Sequence, residues 1–385
     1  MKIPPHGPPD SQSNEPLRIA GVDPEHGFAG GETQVLGLTL ELLRLGHRAE
    51  LICDPAGRLY ERARHQGVTC YPLRIRNSVD LPAAIRFRAI LRRGRYDIVH
   101  FHTSRAHAMA PYARGFARAL VVTRRMDYRP NRVFAPLLYG RAVDGVAAIS
   151  HGVADSLAKA GVVRERVTII PSGVDCEHFR LADSGTRAAA RAGLGLAPEA
   201  LVLGSVGMLE PRKGHRHLLE AIARIVRAGK GANLACVIAG DGSLHADLQR
   251  DAEMLGVARQ VRFLGRIDDV RTVLAATDIF AFPSLREGLG VAVLEAAASG
   301  LAIVASGTGG IGDVIEDGVT GMLVAPGDSE ALAAAIMRMA ASPQERAAMG
   351  QAARICAERK FSMSAMAART VELYRACIAA IGRKI

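Results

Sequence analysis

The chain has 385 residues, of which 49% are hydrophobic and 23% charged, and it contains no tryptophan. This length predicts two domains, and the composition is that of an ordinary globular protein. No apolar run approaches the roughly 20 residues of a transmembrane helix, and the start of the chain lacks the apolar segment of a signal peptide.

The six cysteines are scattered and form no Cys-x-x-Cys pair. Neither a zinc site nor a disulfide framework is therefore indicated. A reducing compartment suits such free thiols, so we expect a cytoplasmic protein. Residues 1–16 are rich in proline and polar side chains, and we interpret them as a disordered tail.

The formal net charge of +11 is unevenly distributed along the chain. Residues 1–180 contain 26 Lys and Arg against 17 Asp and Glu, a net charge of +9, which leaves 23 against 21 for the rest. No nucleic-acid-binding motif accompanies the basic half, so we expect no nucleic-acid partner. An anionic surface, such as the inner face of a membrane or an anionic glycolipid, matches this charge better.

In the first half of the chain, apolar strand segments alternate with amphipathic helical segments. The predicted strands are 17–22, 49–53, 96–102, 120–123, 145–150 and 167–171. Gly30 and Gly31 lie between the first strand and its helix. They fit a turn that lets a phosphate approach the helix N-terminus, and they also fit a simple tight turn.

Residues 85–95 predict a basic amphipathic helix, in which Ile85, Phe87, Ile90 and Leu91 alternate with five arginines. One interpretation is a solvated helix face packed on the sheet. The other is a docking surface for an anionic membrane.

Histidines and arginines follow the next two strands. His100, His102 and His107 surround the end of one strand, and Arg125 follows the other. Each histidine also fits a polar residue of a loop or strand end. His102, at the strand end itself, is the best candidate for a role in a ligand-binding cleft.

The pattern starts again in the second half, with strands predicted at 200–207, 234–240, 261–264, 279–282 and 302–305, and helices towards the end. We place the domain boundary between Pro171 and Gly195. The prediction is a first domain over 17–180, a second over 195–360, and a C-terminal helix within 361–385 that packs back towards the first domain. Alternating strands and helices predict α/β domains with doubly wound parallel sheets, which bind ligands outside the carboxyl ends of their strands.

Glu287 and Glu295 stand eight residues apart in the segment from Arg286 to Gly300. Gly288 and Gly290 allow backbone N–H groups to approach a ligand closely. The helix that follows offers its N-terminus to an anion such as a diphosphate, and a carboxylate in its first turns can accept hydrogen bonds from two sugar hydroxyls. The alternative is an apolar helix with two glutamates placed there by chance.

This segment resembles the glutamate–seven-residue–glutamate signature of retaining glycosyltransferases of family 4, with Leu289 in place of a phenylalanine. The resemblance implies the GT-B fold, in which two Rossmann-like domains face a cleft. It implies transfer of a sugar from a nucleotide-sugar, expected to be UDP-linked, to a hydroxyl of a glycan or lipid-linked acceptor, with retention at the anomeric carbon. Lipopolysaccharide or exopolysaccharide assembly is the expected setting. No Asp-x-Asp cluster occupies a suitable loop, so we expect no metal and no cofactor.

The resemblance also assigns expected roles to residues. Glu295 is expected to bind the donor ribose, Glu287 the donor sugar, and Lys213, with Arg212, the diphosphate. The remaining expected donor contacts come from backbone and glycine positions: Gly30, Gly31, Gly240, Gly242, Leu264, Gly288, Leu289 and Gly290.

Three positions depart from the family pattern. Arg125 stands where many members have a histidine, Met208 where many have an arginine, and Asp313 where a glutamate is usual. An arginine cannot accept a proton near neutral pH, although it can hold an anionic acceptor or donor group. Other activities on this fold therefore stay open: a sugar-nucleotide 2-epimerase, a phosphorylase, or a non-catalytic subunit that binds a nucleotide-sugar.

Overall fold

The computed structural model describes residues 15–27, 30–77, 79–128 and 130–382. Most of the predicted N-terminal tail lies outside these residues. In the described part, the first sheet has seven strands, all paired in parallel, in the order β3-β2-β1-β4-β5-β6-β7. Its strands are β1 (Arg18–Asp23), β2 (Arg48–Cys53), β3 (Cys70–Pro72), β4 (Tyr96–Phe101), β5 (Ala117–Arg124), β6 (Gly145–Ala148) and β7 (Val167–Ile169).

Helices cover both faces of this sheet. They are α1 (Gly30–Arg44), α2 (Arg58–His65), α3 (Leu81–Gly94), α4 (Ser104–His107), α5 (Ala110–Ala113), α6 (Phe134–Leu137) and α7 (His151–Lys159). The predicted basic helix is α3, which begins after Asp80, whose side chain accepts a hydrogen bond from the backbone N–H of Ala83. Phe87 and Leu91 of α3 are buried, whereas Ile85 is 71% exposed. Only part of the apolar pattern of α3 therefore packs into the hydrophobic core.

The second sheet has six described strands, also parallel, in the order β10-β9-β8-β11-β12-β13. They are β8 (Leu201–Val206), β9 (Leu234–Ala239), β10 (Val261–Gly265), β11 (Ile279–Phe282), β12 (Ala302–Ser306) and β13 (Met322–Val324). In each sheet the strand order reverses once, beside β1 and beside β8, which is the mark of a doubly wound sheet. The predicted fold class is confirmed.

The remaining helices belong to the second half of the chain. They are α8 (Ser184–Gly193), α9 (His215–Arg227), α10 (His245–Met254), α11 (Arg271–Ala276), α12 (Val291–Ala298), α13 (Ile311–Val314), α14 (Ser329–Ala341), α15 (Pro343–Lys360) and α16 (Met363–Gly382). A membrane span would need a longer and more apolar helix than any that the structure describes.

Helix α8 lies between Pro171 and Gly195, where the sequence predicts the domain boundary. It buries little apolar surface, and Arg191 is one of its two buried residues. Arg191 Nη2 donates to Asp278 Oδ2 over 2.6 Å, and Arg187 pairs with the same carboxylate. Because ion pairs hold this helix rather than an apolar face, hydrophobic periodicity does not reveal it.

The chain crosses between the two domains twice, and the crossing segments pair with each other. The N–H of Val174 donates to the carbonyl of Phe361 over 2.7 Å, and the N–H of Met363 donates back to Val174 over 3.1 Å. Gln34 of α1 exchanges two hydrogen bonds of 2.7 Å with the backbone of Gly173. Helix α16 then packs on the first domain, where Tyr374 is fully buried.

Candidate functional site

The carboxyl ends of the two sheets face each other across a cleft, and two helix N-termini meet there. A Cβ atom on Gly30, the first residue of α1, would lie 3.5 Å from the side chain of Val291, the first residue of α12. Exposed backbone N–H groups and the helix dipole make each N-terminus favourable for an anion. Bringing the two together makes this part of the cleft suitable for a diphosphate.

Lys213 and Glu287 form an ion pair in the second domain, with side chains only 12% and 13% exposed. Lys213 ends a 3-10 turn, and Gly214 follows it with φ 65°. A Cβ atom at Gly214 would come within 2.1 Å of the carbonyl oxygen of Pro283, so this position needs glycine. The Lys213 ammonium also lies 5.0 Å from the ring of Phe282. The structure thus brings two of the predicted site residues into contact.

Arg212, the neighbour of Lys213, points elsewhere. Its Nε donates to Glu210 Oε2 over 2.9 Å, and its carbonyl accepts from the backbone N–H groups of Leu285 and Arg286. The side chain is 39% exposed. Its described contacts therefore hold the loop that carries Glu287, and its predicted role at the diphosphate stays a prediction.

The segment Gly288–Leu289–Gly290 connects Glu287 to α12. Leu289 is 1% exposed, so only its backbone is available to a ligand. Gly290 has φ 85° and caps α12. A Cβ atom at Gly288 would lie 2.4 Å from the carbonyl oxygen of Arg125 in the other domain. The two domains are therefore in close contact where the donor sugar is expected.

Glu295 lies in the second turn of α12 and lines a cavity of about 690 Å³ in the cleft. Burial raises the pKa of its carboxyl to about 7. Within the described ranges its side chain has no hydrogen-bond partner. Helix α1, the crossing segments and the loop Arg266–Val270 also line this cavity. A carboxylate free for hydroxyl donors, next to space for a nucleoside, fits the predicted ribose contact.

Two of the glycines that are expected to contact the donor, Gly240 and Gly242, are required by packing within the second domain. A Cβ atom at Gly240, where φ is 143°, would lie 1.8 Å from the carbonyl oxygen of Gly207. One at Gly242 would lie 2.5 Å from the carbonyl oxygen of Leu209. These glycines let two loops of the second domain pack closely. Gly31 has open space around it, and Leu264 on β10 is half-buried.

In the first domain, His102 follows β4. Its backbone N–H donates a hydrogen bond to the carbonyl of Val22 over 3.1 Å. Its ring lies 4.1 Å from that of His100, measured between centroids. Burial lowers the pKa of His102 well below its usual range, so the imidazole is neutral. Its Nδ1 atom is buried without a partner.

The other two histidines of this segment are held by the core. His100 lies between the hydroxyl of Tyr374, at 2.6 Å, and that of Thr123, at 2.7 Å. His107 contacts the Thr123 carbonyl over 3.1 Å. Both imidazoles have satisfied ring nitrogens, which is typical of structural histidines.

Arg125 follows β5, and its Nη1 donates weakly to Ser172 Oγ over 3.4 Å. Burial lowers the pKa of Arg125 to about 10, against the opposing effect of Asp23 and Glu32. The guanidinium therefore stays charged at neutral pH. Its Nε atom is buried without a partner.

Asp23, the last residue of β1, was not identified from the sequence. It is 1% exposed, and burial raises the pKa of its carboxyl to about 7. Oδ1 accepts from the N–H of Glu25 over 3.1 Å, whereas Oδ2 has no partner. The sequence signal that could have revealed it is an acidic residue ending an apolar strand just before the glycine-bearing turn.

Hydrogen bonds and ion pairs close the cleft on the side of α7. The backbone N–H of His151 donates to Asp313 Oδ2 over 2.8 Å, and its Nδ1 lies 3.0 Å from Asp313 Oδ1. Arg286 pairs with Asp127 over 3.5 Å. The part of the chain that the structure describes contains no group of three His, Cys, Asp or Glu that could hold a metal ion.

Both halves of the chain match models of known protein families. Residues 28–178 match Glycosyltransferase Family 4, and residues 186–355 match Glycosyl transferases group 1. A D-inositol 3-phosphate glycosyltransferase of Streptomyces avermitilis is 31% identical over 320 residues, which cover 76% of this chain and 68% of that protein.

Other relatives are matched over about half of their own length. The D-inositol 3-phosphate glycosyltransferase of Saccharomonospora viridis is 36% identical over 56% of this chain and 51% of its own. A GDP-mannose-dependent monoacylated alpha-(1-6)-phosphatidylinositol monomannoside mannosyltransferase of Corynebacterium glutamicum is 34% identical over 53% and 55%.

Solved structures with the same fold include that of Anabaena Alr3699/HepE in complex with UDP. It has a TM-score of 0.83 and 22% identity, covering 94% of this chain and 100% of that one. The same protein in complex with UDP-glucose has a TM-score of 0.82, with the same identity and coverage.

Proposed function

The chain belongs to the glycosyltransferases, family 4 in its first half and group 1 in its second, and on that premise we propose that it transfers a sugar from a nucleotide-sugar to an acceptor hydroxyl. The proposed donor is UDP-linked, the transfer retains the anomeric configuration, and no metal takes part. The acceptor is a cell-surface glycan or glycolipid of the lipopolysaccharide or exopolysaccharide type. The reaction takes place on the cytoplasmic side of the membrane.

The observation that carries this proposal is the buried pair of Lys213 and Glu287 in the same cleft as the unpartnered carboxyl of Glu295. Two ribose hydroxyls can donate to Glu295. With the ribose in this position, the diphosphate lies between the facing N-termini of α1 and α12 and next to the Lys213 ammonium. The sugar then lies against Glu287 and the backbone of Gly288.

The proposed chemistry follows from where negative charge develops. As the bond between the anomeric carbon and the diphosphate oxygen breaks, charge grows on the leaving phosphate. Lys213 and the two helix N-termini are already oriented to stabilise that charge, which lowers the barrier without reorganisation. The acceptor hydroxyl forms the new bond on the same face of the sugar, and its proton passes to the departing phosphate oxygen. No enzymic base is then required, which suits an arginine at position 125.

Helix α3 supports a membrane-associated acceptor. Leu81 and Ile85, one helical turn apart, are 61% and 71% exposed. Arg86, Arg92 and Arg93 are exposed on the same helix. Exposed apolar side chains among arginines suit the interface of an anionic membrane. Arg88 and Arg92 lie 4.9 Å and 5.8 Å from the centre of the Phe116 ring, so part of the basic pattern serves packing.

Calorimetric titration with UDP, GDP, ADP and dTDP, without metal, tests the donor site. We expect one nucleotide, UDP, to bind to the wild type and to lose affinity at least about tenfold in Glu295→Ala. The matched control is Glu330→Ala, which changes a glutamate that is 80% exposed on α14. The site assignment would be overturned if none of the four nucleotides bound to the wild type, or if Glu295→Ala and Glu330→Ala bound the nucleotide with equal affinity. Identifying the products formed from UDP-glucose then distinguishes sugar transfer from epimerisation of the sugar-nucleotide and from phosphate-dependent cleavage.

A further inference from the structure

The side chain of Arg354 connects three parts of the chain behind the cleft. It belongs to α15 and is 21% exposed. Its Nη1 donates to the carbonyls of Ala298 and Phe179, the second over 2.8 Å, and its Nη2 donates to the carbonyl of Cys176 over 3.2 Å. Its Nε donates to Glu358, one turn further along α15, over 2.7 Å. One guanidinium thus joins α15 to the end of α12 and to the first crossing segment.

The contact with α12 completes the carboxyl end of that helix. An α-helix leaves its last four carbonyls without partners inside the helix. In α12 the carbonyls of Glu295, Ala296 and Ala297 accept from backbone N–H groups that follow the helix. The last carbonyl, that of Ala298, accepts from Arg354. A cation at this end also suits the helix dipole. Arg354 therefore fixes the end of the helix that carries Glu295.

Close packing between α15 and α12 brings Arg354 to this position. Gly350 lies one helical turn before Arg354, so the two residues share a face of α15. A Cβ atom at Gly350 would lie 2.1 Å from the carbonyl oxygen of Gly300, two residues after α12. Only glycine allows the two backbones to approach so closely. Ala353 and Ala357 on the same face are buried. The face of α15 is thus shaped for this contact.

The two elements that Arg354 joins are walls of one cavity, the space of about 690 Å³ beside Glu295, which we call the donor cavity. One wall is α12, through Val291 and Glu295, and another is the first crossing segment, residues 173–179. Arg354 lies outside the lining that the structure describes for this cavity. The spacing of the two walls therefore depends on a side chain that a bound nucleotide does not touch.

The first crossing segment has few other anchors at this point. The carboxylate of Asp175 accepts from the backbone N–H groups of Glu177 and His178, which is a contact within the segment itself. Over the described part of the chain, the hydrogen bonds from Arg354 are the ones that connect residues 175–179 to another element. Loss of Arg354 should therefore release this wall of the donor cavity.

We propose that Arg354 is a positioning residue for the donor, which holds the first crossing segment against the carboxyl end of α12 and so sets the spacing between two walls of the donor cavity. This inference rests on the proposed function and adds to it a residue that acts on the donor through other residues. Without Arg354 the wall is in place in only a fraction of the molecules, and the affinity for the nucleotide falls by that fraction. Lys213 and Glu287 keep their own ion pair, so the chemical step is preserved.

The test compares Arg354→Ala with Arg346→Ala. Arg346 also belongs to α15, and its Nη1 donates over 2.9 Å to the carbonyl of Met339, near the carboxyl end of α14. The control therefore removes a contact of the same type that involves neither α12 nor the crossing segment. By calorimetry, the affinity for UDP, or for whichever nucleotide binds, should fall at least about fivefold in Arg354→Ala and stay at the wild-type value in Arg346→Ala.

Steady-state rates separate positioning from a general loss of structure. We expect the KM for the nucleotide-sugar to rise at least about fivefold in Arg354→Ala, while kcat stays within about twofold of the wild type. Arg354→Lys should be intermediate, because a single ammonium cannot reach all the carbonyls that the guanidinium holds. If Arg354→Ala does not fold, Arg354→Lys and Arg346→Lys make the same comparison. Wild-type affinity in the Arg354 variants, or an equal loss in the Arg346 variants, would overturn the proposal.

Amide hydrogen exchange tests the anchor without any ligand. Residues 175–179 and the end of α12 should exchange faster in Arg354→Ala than in Arg346→Ala, because local opening becomes easier. Equal exchange in the two variants would contradict the anchor. A failure of the proposed function looks different, since the wild type itself would then bind no nucleotide. If the wild type binds and the Arg354 variants bind equally well, the donor site stands and only this inference fails.

Discussion

Lys213 and Glu287 are 74 residues apart in the chain, yet their side chains form an ion pair at the base of the cleft. The pair joins the turn after β8 to the loop after β11, and these two strands are neighbours in the sheet. Each charge is partly removed from water and stabilised by the other. An incoming diphosphate can share the Lys213 ammonium, while Glu287 keeps it oriented towards the cleft.

Replacing Lys213 with alanine should lower the rate of sugar transfer at least about tenfold, or about 1.4 kcal/mol in the barrier. The leaving phosphate loses its cation, and Glu287 is left partly buried with an unpaired charge. Steady-state rates of nucleotide release measure the effect. Lys230→Ala, which removes an exposed lysine after α9, is the control and should keep the wild-type rate. Wild-type turnover in Lys213→Ala would remove this residue from the site.

Nucleotide binding should release a proton near neutral pH. Burial raises the pKa of Glu295 to about 7, so about half of the carboxyls are protonated there. Ribose hydroxyls that donate to Glu295 favour the ionised form, and affinity should therefore rise between pH 6 and 8. Calorimetry of UDP binding in buffers of different ionisation enthalpy measures the released proton. The same enthalpy in every buffer would contradict a ribose contact at Glu295.

The same carboxyl should make the protein less stable as the pH rises. A group with a folded pKa of about 7 and an ordinary value of 4.5 binds more protons when folded, so the free energy of unfolding falls between these pH values. Glu295→Gln removes this loss. The stability of the variant relative to the wild type should therefore be higher at pH 8 than at pH 4, by about 3 kcal/mol for a pKa change from 4.5 to about 7. Urea unfolding at both pH values measures it. If the free energies of unfolding of the wild type and Glu295→Gln differ by the same amount at pH 4 and at pH 8, the pKa of Glu295 is not raised in the folded protein.

Gly288→Ala should impair transfer more than nucleotide binding. Its Cβ atom would lie 2.4 Å from the carbonyl oxygen of Arg125, so the two domains must separate locally. The donor would still bind to the second domain, while the acceptor side would be displaced. Gly312→Ala is the control, because a Cβ atom there meets nothing within 4 Å. Equal loss of binding and rate in Gly288→Ala would point to misfolding of the loop instead.

Asp313 should hold the cleft closed through the N-terminus of α7. Asp313→Ala removes both the bond to the His151 N–H and the contact with its ring, whereas His151→Ala removes only the ring contact. We expect a larger radius of gyration by small-angle X-ray scattering and a lower transfer rate, with the stronger effect in Asp313→Ala. Identical scattering and rates for both variants and the wild type would show that other contacts set the closure.

Much of the fold could be predicted because apolar strands and helix faces alternate in a simple period. Ile279–Phe282 and Ala302–Ser306 are buried on both sheet faces and appear as short apolar runs. Helix α8 could not be predicted in this way, since Asp278 anchors it from a distant position. Strand β3 has three residues and no buried face, which leaves no period to detect.

The candidate site also contains residues that local sequence patterns predict and contacts that they do not. Local spacing marked Glu287 and Glu295, because a glycine-bearing loop and a helix start are properties of consecutive residues. Contacts between distant segments decided the rest: the partner of Lys213, the turn of Arg212 towards Glu210, and the convergence of Asp23 with Arg125. The sequence by itself determined two doubly wound domains and the place of the donor loop, since these follow from short-range periodicity and turn chemistry. Only the tertiary structure decided which buried polar atoms have partners, because that depends on how strands far apart in sequence lie side by side.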